Sequence, residues 1–325
     1  MPFEILRNDI TRMAVDAIVN TANPKPVIGA GTDAAIHKKA GARLLEARKS
    51  IGCIGVGEAA VTAAFDLEAK YVIHTVGPAW IDGNHGEETL LRRCYENSMR
   101  LAAQQGCRSI AFPLISTGNY GFPKDKALQI AISAFTAFLT EQEMRIYLVV
   151  YDQVSYRLSE KLFQNVASYI DEHYVDIRGG AERRMRRKMA ASCCYDAAPA
   201  PMELSLAQFL EQTDAGFTET LLKLIDKTGK KDSEIYKKAN LSKQHFSKIR
   251  NNPNYKPTKA TAIALALALE LDLEQTEDLI GRAGYALTSS SKFDLIIQYF
   301  IQQGNYNVVE INVALFEFDQ PLLGS

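Results

Sequence analysis

The chain of 325 residues has no apolar run near the roughly 20 residues that a membrane helix needs. Its most apolar window, TAIALALALEL (261–271), is too short to span and reads as a buried helix. The N-terminus MPFEILRND is too polar for a signal peptide, so a cytoplasmic protein with no membrane partner is expected. Bulk charge is lacking too. Lys and Arg number 37 against 38 Asp and Glu, a net charge of −1, which excludes whole-molecule attraction to nucleic acid. Any such binding needs a local patch. The five cysteines, Cys53, Cys94, Cys107, Cys193 and Cys194, are odd in number and show no CxxC spacing. That offers no metal-ligand spacing and suits free thiols in a reducing compartment. No internal repeat is visible.

What remains is an ordinary globular composition, 47% hydrophobic and 23% charged, in a chain long enough for two domains. Residues 3 to about 175 alternate β-rich runs with helical-period stretches. The runs are FEILR (3–7), AIVNTA (17–22), AAVTAAF (59–65), YVIHTV (71–76), SIAFPLI (109–115) and IYLVVYD (146–152). The helical stretches are clearest at 32–48, 87–105, 124–140 and 153–173. This interleaving predicts a three-layer α/β/α domain with a mixed, mostly parallel central sheet. The runs AIV, SIAFPLI and IYLVV are apolar on both faces, as central strands are. Residues 176–203 turn Arg-rich and then Ala/Pro-rich, a linker, and from 204 to 325 an all-helical domain is expected.

Two loops carry the chemistry. In DAIVNTANPKPVIGAGTDAAIHKKAG (16–41) a buried strand runs into Asn20 and Asn23, then into a glycine-bearing loop that opens a helix. Thr32 is placed to cap that helix and Asp33 lies in its first turn. Glycines ahead of a helix N-terminus let backbone N–H groups approach a phosphate. Taken alone, GAGTDA also fits a relaxed dinucleotide fingerprint, or a tight turn with no ligand. A dehydrogenase reading fails on two counts. Asn23, Pro24 and Pro26 separate strand from glycines, and Glu58 stands at a strand start rather than a strand end. The second loop, FPLISTGNYGFPKDKA (112–127), sets Ser116, Thr117, Gly118 and Gly121 between a central strand and a helix starting near Pro123, a suitable first residue. Two such loops on one sheet suit a diphosphate lying across its crevice.

With these residues in place, VNTAN, GAGTDAAIH, YVIHTVGP, IAFPLISTGNYGFP and YLVVYD resemble the macrodomain family, over about residues 1–172. The MacroD-type branch is the nearest pattern, since Asn23 is followed ten positions later by Asp33. The resemblance implies ADP-ribose or O-acetyl-ADP-ribose as ligand, mono-ADP-ribosylated protein as substrate, and no cofactor or metal. It implies that Asp9 accepts from the adenine amino group and that Tyr151 lies near the adenine. Ile28, Gly29, Ala30 and Gly31, with Ser116 through Gly121, would wrap the diphosphate. Tyr120 would flank the distal ribose, with Ile10, Asn20, Thr32, Thr117 and Asn119 completing the wall. Asn23 would bond the distal ribose and Asp33 would orient the attacking water, these two being the catalytic pair.

The residue types agree with that chemistry. Asn offers donor and acceptor to a diol, and a carboxylate beside a water positions it or takes its proton. His37, one turn past Asp33, reads as a packed histidine or a cleft residue, and His74 as a satisfied sheet residue. Asp9 has a plainer role open to it, capping a turn before Thr11. Two departures bear on the loops. In the diphosphate loop Ala30 and Thr32 replace smaller or apolar residues of the family, and Ala30 adds a Cβ where positive φ can be needed. Asn8 replaces a glycine and tolerates the left-handed region better than most residues. The implied activity is hydrolysis of ADP-ribose esters; the alternative is a non-catalytic reader of ADP-ribose.

Between 223 and 259 the chain carries 11 basic and 3 acidic residues. There SEIYKKANLSKQHFSKIRNN resembles a helix-turn-helix of the Cro/phage-repressor type, at about 232–252. Phe246 and Ile249 would face the core. Lys243, Gln244, Ser247, Lys248 and Arg250 would face outward toward DNA, a role that competes with binding a protein partner. The apolar helices SKFDLIIQYFIQQG and EINVALFEF are suited either to internal packing or to a homodimer interface.

Overall fold

The computed structural model describes residues 2–151, 160–173 and 215–324. The 176–203 linker with Cys193 and Cys194, and the start of the helical region at 204–214, lie outside them. Six strands form one sheet: β1 (Phe3–Arg7), β2 (Ala17–Thr21), β3 (Ala59–Ala63), β4 (Tyr71–Thr75), β5 (Ser109–Phe112) and β6 (Arg145–Val150). Their order is β1-β6-β5-β2-β4-β3, parallel throughout except for the antiparallel edge pair β3–β4. The expected mixed, mostly parallel sheet is the one found. β5 is buried at every residue and β2 at all but its last, because helices cover both faces and leave no polar side for alternation.

The helices are α1 (Thr32–Ala40), α2 (Ala42–Ile51), α3 (Glu87–Gln104), α4 (Lys124–Glu141) and α5 (Glu160–His173). The single helix expected over 32–48 is two helices. Gly41 breaks it at φ +81°, a conformation that side-chain-bearing residues rarely adopt, and Ala42 starts afresh. Pro123 sits one residue outside α4 as its cap rather than as its first residue.

The remaining described chain is helical: α6 (Phe217–Thr228), α7 (Asp232–Lys238), α8 (Lys243–Arg250), α9 (Lys259–Ala268), α10 (Leu273–Arg282), α11 (Lys292–Gln302) and α12 (Val308–Glu317). Polar caps set their starts: Ser242, Thr258, Asp272, Ser291 and Asn307 each accept from a first-turn N–H. The 261–271 window lies in and just after α9, which is buried at every residue from Thr261 to Ala268. The apolar faces of α11 and α12 are buried within this chain, so they are spent on internal packing.

One apolar cluster runs through both parts, from Phe3, Phe112 and Phe135 to Ile235, Phe300 and Leu315. The helices seat on β1 and α4. Tyr236 donates its hydroxyl to Glu143, Lys237 donates to the Thr140 carbonyl, and Arg7 pairs with Asp319 at 3.0 Å while lying over the Phe316 ring.

Candidate functional site

The strand-to-helix corner after β2 builds one end of a cleft of about 690 Å³. Asn20 ends the buried part of β2, Asn23 follows on the loop, and Gly31, at φ +63°, turns the chain into α1. The helix starts at Thr32, and its N-cap is Gly31 without a side-chain bond, not Thr32. Asp33 therefore stands in the first turn, buried and facing back along the loop. Its Oδ2 accepts the Gly29 N–H at 2.5 Å and its Oδ1 accepts from Asn20 Nδ2 at 2.6 Å. A Cβ on Gly29 would stand 2.7 Å from Asn23 Nδ2 and 3.2 Å from Asp33 Oδ2. The Asn23 amide and the Asp33 carboxylate thus converge on one glycine, where an added Cβ would force the Asn23 side chain to shift. Ala30 takes no positive φ, so its Cβ leaves the loop unstrained.

The opposite wall is the loop from Pro113 to Tyr120. Ser116 holds φ +65°, uncommon outside glycine, and its buried Oγ has no hydrogen-bond partner. A positive φ and an orphaned hydroxyl therefore fall on one residue of this wall. The loop is closed by Phe122 N–H to the Ser116 carbonyl at 3.0 Å and Gly121 N–H to the Gly118 carbonyl at 2.9 Å. Trp80 N–H donates to the Tyr120 carbonyl at 2.8 Å. Gly77, in the YVIHTVGP motif, is what lets this loop come close: a Cβ there would lie 2.1 Å from Ser116 Oγ.

At the far end of the cleft Asp9 caps a short 3-10 helix (Ile10–Arg12), its Oδ1 accepting from Thr11 N at 2.9 Å and Thr11 Oγ1 at 2.8 Å. The plainer role is real, yet Asp9 also lines the cleft, with Oδ2 free for another donor except for Arg12 at 4.0 Å. Asn8 is not left-handed; its Oδ1 accepts the Asp9 N–H at 2.8 Å. Tyr151 closes this end at 79% exposure.

The cleft wall takes in Asp9, Ile10, Asn23, Gly29, Ala30, Gly31, Thr32, Asp33, Ser116, Thr117, Gly118, Asn119, Tyr120 and Tyr151. Three residues expected there are not in it. Ile28 and Gly121 are exposed outside the wall, and Asn20 is wholly buried. Asn20 bonds Asp33 from behind, because its alternation on β2 points it into the layer under α1. Sequence reasoning missed Gly77, Pro113, Leu114 and Lys124 on the wall. Gly77 had a visible sign, as a glycine directly after a buried strand, and Pro113, Leu114 and Lys124 lie within the 112–127 loop.

Behind Asp33 lies a buried polar layer. Asn20 Nδ2 donates to His74 Nδ1 at 3.1 Å as well as to Asp33, so His74 carries its proton on Nε2 and donates to Thr62 Oγ1 at 3.0 Å. Burial, aided by Arg48 and His37, pushes His74 down to about 3, so it stays neutral. His37 lies 3.6 Å from Asp33 Oδ1 and outside the cleft wall; burial lowers its pKa despite that carboxylate, with Arg48 acting in the same direction. His74 is the satisfied sheet residue expected, and His37 is a packed one.

Asp82, His85 and Glu87 also converge, within 4.8 Å of one another. Glu87 is already committed: its oxygens accept from the N–H groups of Ile81, Asp82, Gly83 and His85. Burial would raise its pKa, but these donors outweigh that and hold it at about 2. The carboxylate organises a loop. Among the described residues no helix is long and apolar enough to cross a membrane. Of the described cysteines, Cys53 is exposed and Cys94 and Cys107 are buried, all three free.

A family model described as Macro domain matches residues 19–131. An O-acetyl-ADP-ribose deacetylase of Escherichia fergusonii is 48% identical over 164 residues, covering 49% of this chain and 93% of that protein. A macro domain-containing protein of Chlorobaculum tepidum is 50% identical over 137 residues, covering 42% of this chain and 80% of that one. A solved structure of the Oceanobacillus iheyensis macrodomain with ADP is 35% identical, with a TM-score of 0.46, and covers 52% of this chain and 92% of its own.

Proposed function

Because the chain belongs to the macrodomain family, we propose that its cleft binds ADP-ribose and hydrolyses esters of it. The substrates are O-acetyl-ADP-ribose and ADP-ribose joined to acidic side chains of proteins, which share an acyl–ribose bond. The observation that carries this is the meeting of Asn23, Gly29 and Asp33 at the inner end of the cleft. In the reaction, a water oxygen adds to the acyl carbon and the bond from that carbon to the ribose oxygen breaks. One water proton ends on the ribose hydroxyl and the other leaves with the carboxylic acid. Asn23 holds the ribose diol. Asp33 has one hydrogen bond on each oxygen, which leaves lone pairs for a water. Asp33 lines the cleft with only 3% of its side chain exposed. It therefore positions a single water. Asp9 and Tyr151 take the adenine end, and the Ser116 loop with Gly29 through Gly31 takes the diphosphate.

The same burial of Asp33 favours a second reading, a non-catalytic reader of ADP-ribose. One assay separates them. The protein and its Asp33→Ala variant are incubated with O-acetyl-ADP-ribose and with mono-ADP-ribosylated protein. Turnover by wild type that falls at least about a hundredfold in the variant supports hydrolysis. Tight ADP-ribose binding without turnover by wild type sinks it and leaves the reader.

For the helical part we propose contact with duplex DNA through α8, as in a helix-turn-helix. α7 and α8 are joined by the short turn Ala239 to Ser242, with Asn240 left-handed at φ +55°. α8 has no acidic residue, and Lys243, Gln244, Ser247 and Lys248 form its exposed face, while Phe246 and Ile249 are buried. Arg250 departs from that set, since it pairs with Asp232 at the start of α7. A face without an apolar anchor suits phosphate and base edges better than a protein partner. Binding of a fluorescent duplex of about 30 base pairs is expected to weaken steeply with salt, and to be lost in Lys243→Glu/Lys248→Glu. Binding that ignores both salt and substitution would refute the assignment.

A further inference from the structure

Arg48 is a buried cation without a buried anion in contact. It lies on α2 with 2% of its surface exposed, and among the described residues no carboxylate comes within 4.0 Å of it. Its guanidinium is instead spent on backbone carbonyls. Nη2 donates to the Asn23 carbonyl at 3.0 Å and the Pro24 carbonyl at 3.3 Å, and Nη1 donates to the Gly52 carbonyl. The Pro24 carbonyl also accepts the Ile54 N–H at 2.9 Å, so the corner after β2 is laced to the loop after α2 through one side chain. A buried charge held only by carbonyls is costly unless its position serves something. The residue it grips is the one whose side chain faces Gly29 and Asp33.

We propose that Arg48 is a positioning residue of the site, whose planar fork fixes the Asn23–Pro24 corner and so sets the Asn23 amide against Asp33. The role in turnover rests on the hydrolase reading; the role in holding the corner does not. The fork matters because three carbonyls from two loops converge on it, a geometry that an ammonium point charge cannot reproduce. The charge matters as well, because Asp33 is buried nearby. Burial lowers the Arg48 pKa, and the fields of Asp33 and then Cys53 oppose that. The other groups around this carboxylate are neutral imidazoles, His37 from α1 and His74 from β4.

The test compares wild type, Arg48→Gln and Arg48→Lys as full chains, by amide hydrogen exchange and by turnover of O-acetyl-ADP-ribose. Arg48→Gln is expected to speed exchange of the Gly29 and Ile54 amides at least about tenfold while leaving β1 and β6 unchanged. Its kcat is expected to fall about a hundredfold and its ADP-ribose affinity by a clearly smaller factor, since Asn23 also holds the ribose diol. Arg48→Lys, which keeps the charge and loses the fork, is expected to lie between the two. Unchanged exchange at Gly29 and Ile54 overturns the proposal whether or not wild type turns over. Exchange that rises equally across the sheet, or affinity lost in step with kcat, also overturns it, since Arg48 would then serve stability alone. If Arg48→Gln does not fold, the Arg48→Lys exchange at Gly29 decides. If wild type shows no turnover while the exchange result holds, the hydrolase reading fails and the positioning of the corner stands.

Discussion

The side-chain amide of Asn240 makes both hydrogen bonds that a neighbouring strand would make to Phe3. Its Oδ1 accepts the Phe3 N–H and its Nδ2 donates to the Phe3 carbonyl, each at 3.0 Å and buried. β1 is an edge strand, and an open edge is a template for unwanted pairing. One side chain from a helical turn 237 residues away closes it. Replacing Asn240 with Ala leaves two buried backbone groups unpaired, a cost of about 3 kcal/mol. Holding Ala at positive φ adds about 1 kcal/mol. Asn240→Gly escapes that second cost and is expected to be the milder variant. Urea unfolding of the two measures it, and equal loss would show that the backbone conformation contributes nothing.

Gly77→Ala sets a methyl group against Ser116 Oγ and 2.8 Å from Ile115 Cγ2. The Ser116 loop has to retreat. A stability loss of about 2 kcal/mol and weaker ADP-ribose binding are expected. Calorimetric titration with ADP-ribose checks it; unchanged affinity would mean that the loop backbone is not part of the ligand site.

Gly29→Ala acts on the other wall. Its methyl would displace Asn23 Nδ2 and crowd Asp33 Oδ2 while the fold stays intact. Turnover of O-acetyl-ADP-ribose is expected to fall about tenfold to a hundredfold, with a melting temperature close to wild type. A large drop in melting temperature would instead mark Gly29 as a structural glycine.

Stability should fall in mild acid. The His74 imidazole takes its proton near 6.5 when unfolded and near 3 when folded. Between those values the unfolded chain holds the extra proton, so the folded state loses ground as pH drops below 6.5. At pH 4.5 the loss is about 3 kcal/mol from this residue, and His37 adds to it in the same direction. Urea unfolding at pH 7 and 4.5 measures it, and His74→Gln is expected to flatten the difference. A wild-type stability independent of pH over that window would contradict the buried neutral ring.

The central strands were legible because burial on both faces leaves an unmistakable apolar run, and β1 through β6 lie within three residues of FEILR through IYLVVYD at the strand ends. The helix pair at 32–51 was not, since Gly41 sits in a helical pattern that continues on both sides of it. Its φ is a property of the packed corner. Asn20 and Asn23 have the same side chain three residues apart, and only the end of β2 at Thr21 decides that Asn20 turns under α1 while Asn23, on the loop beyond, lines the cleft. Arg48 carried no sign at all. An arginine on an amphipathic helix reads as a surface charge until the loops that supply its carbonyls are in place.

Phe3 is synthesised well before its strand partner β6, which starts at Arg145, and 237 residues before its edge partner Asn240. At about 5–20 residues per second, roughly ten to fifty seconds of synthesis separate the strand from the residue that closes it. The sheet can form around β1 well before that, with the Phe3 edge bare. A nascent chain of this protein therefore passes through a period in which a fast-binding chaperone and a neighbouring nascent chain compete for one exposed strand, and the helical region ends that competition when it docks.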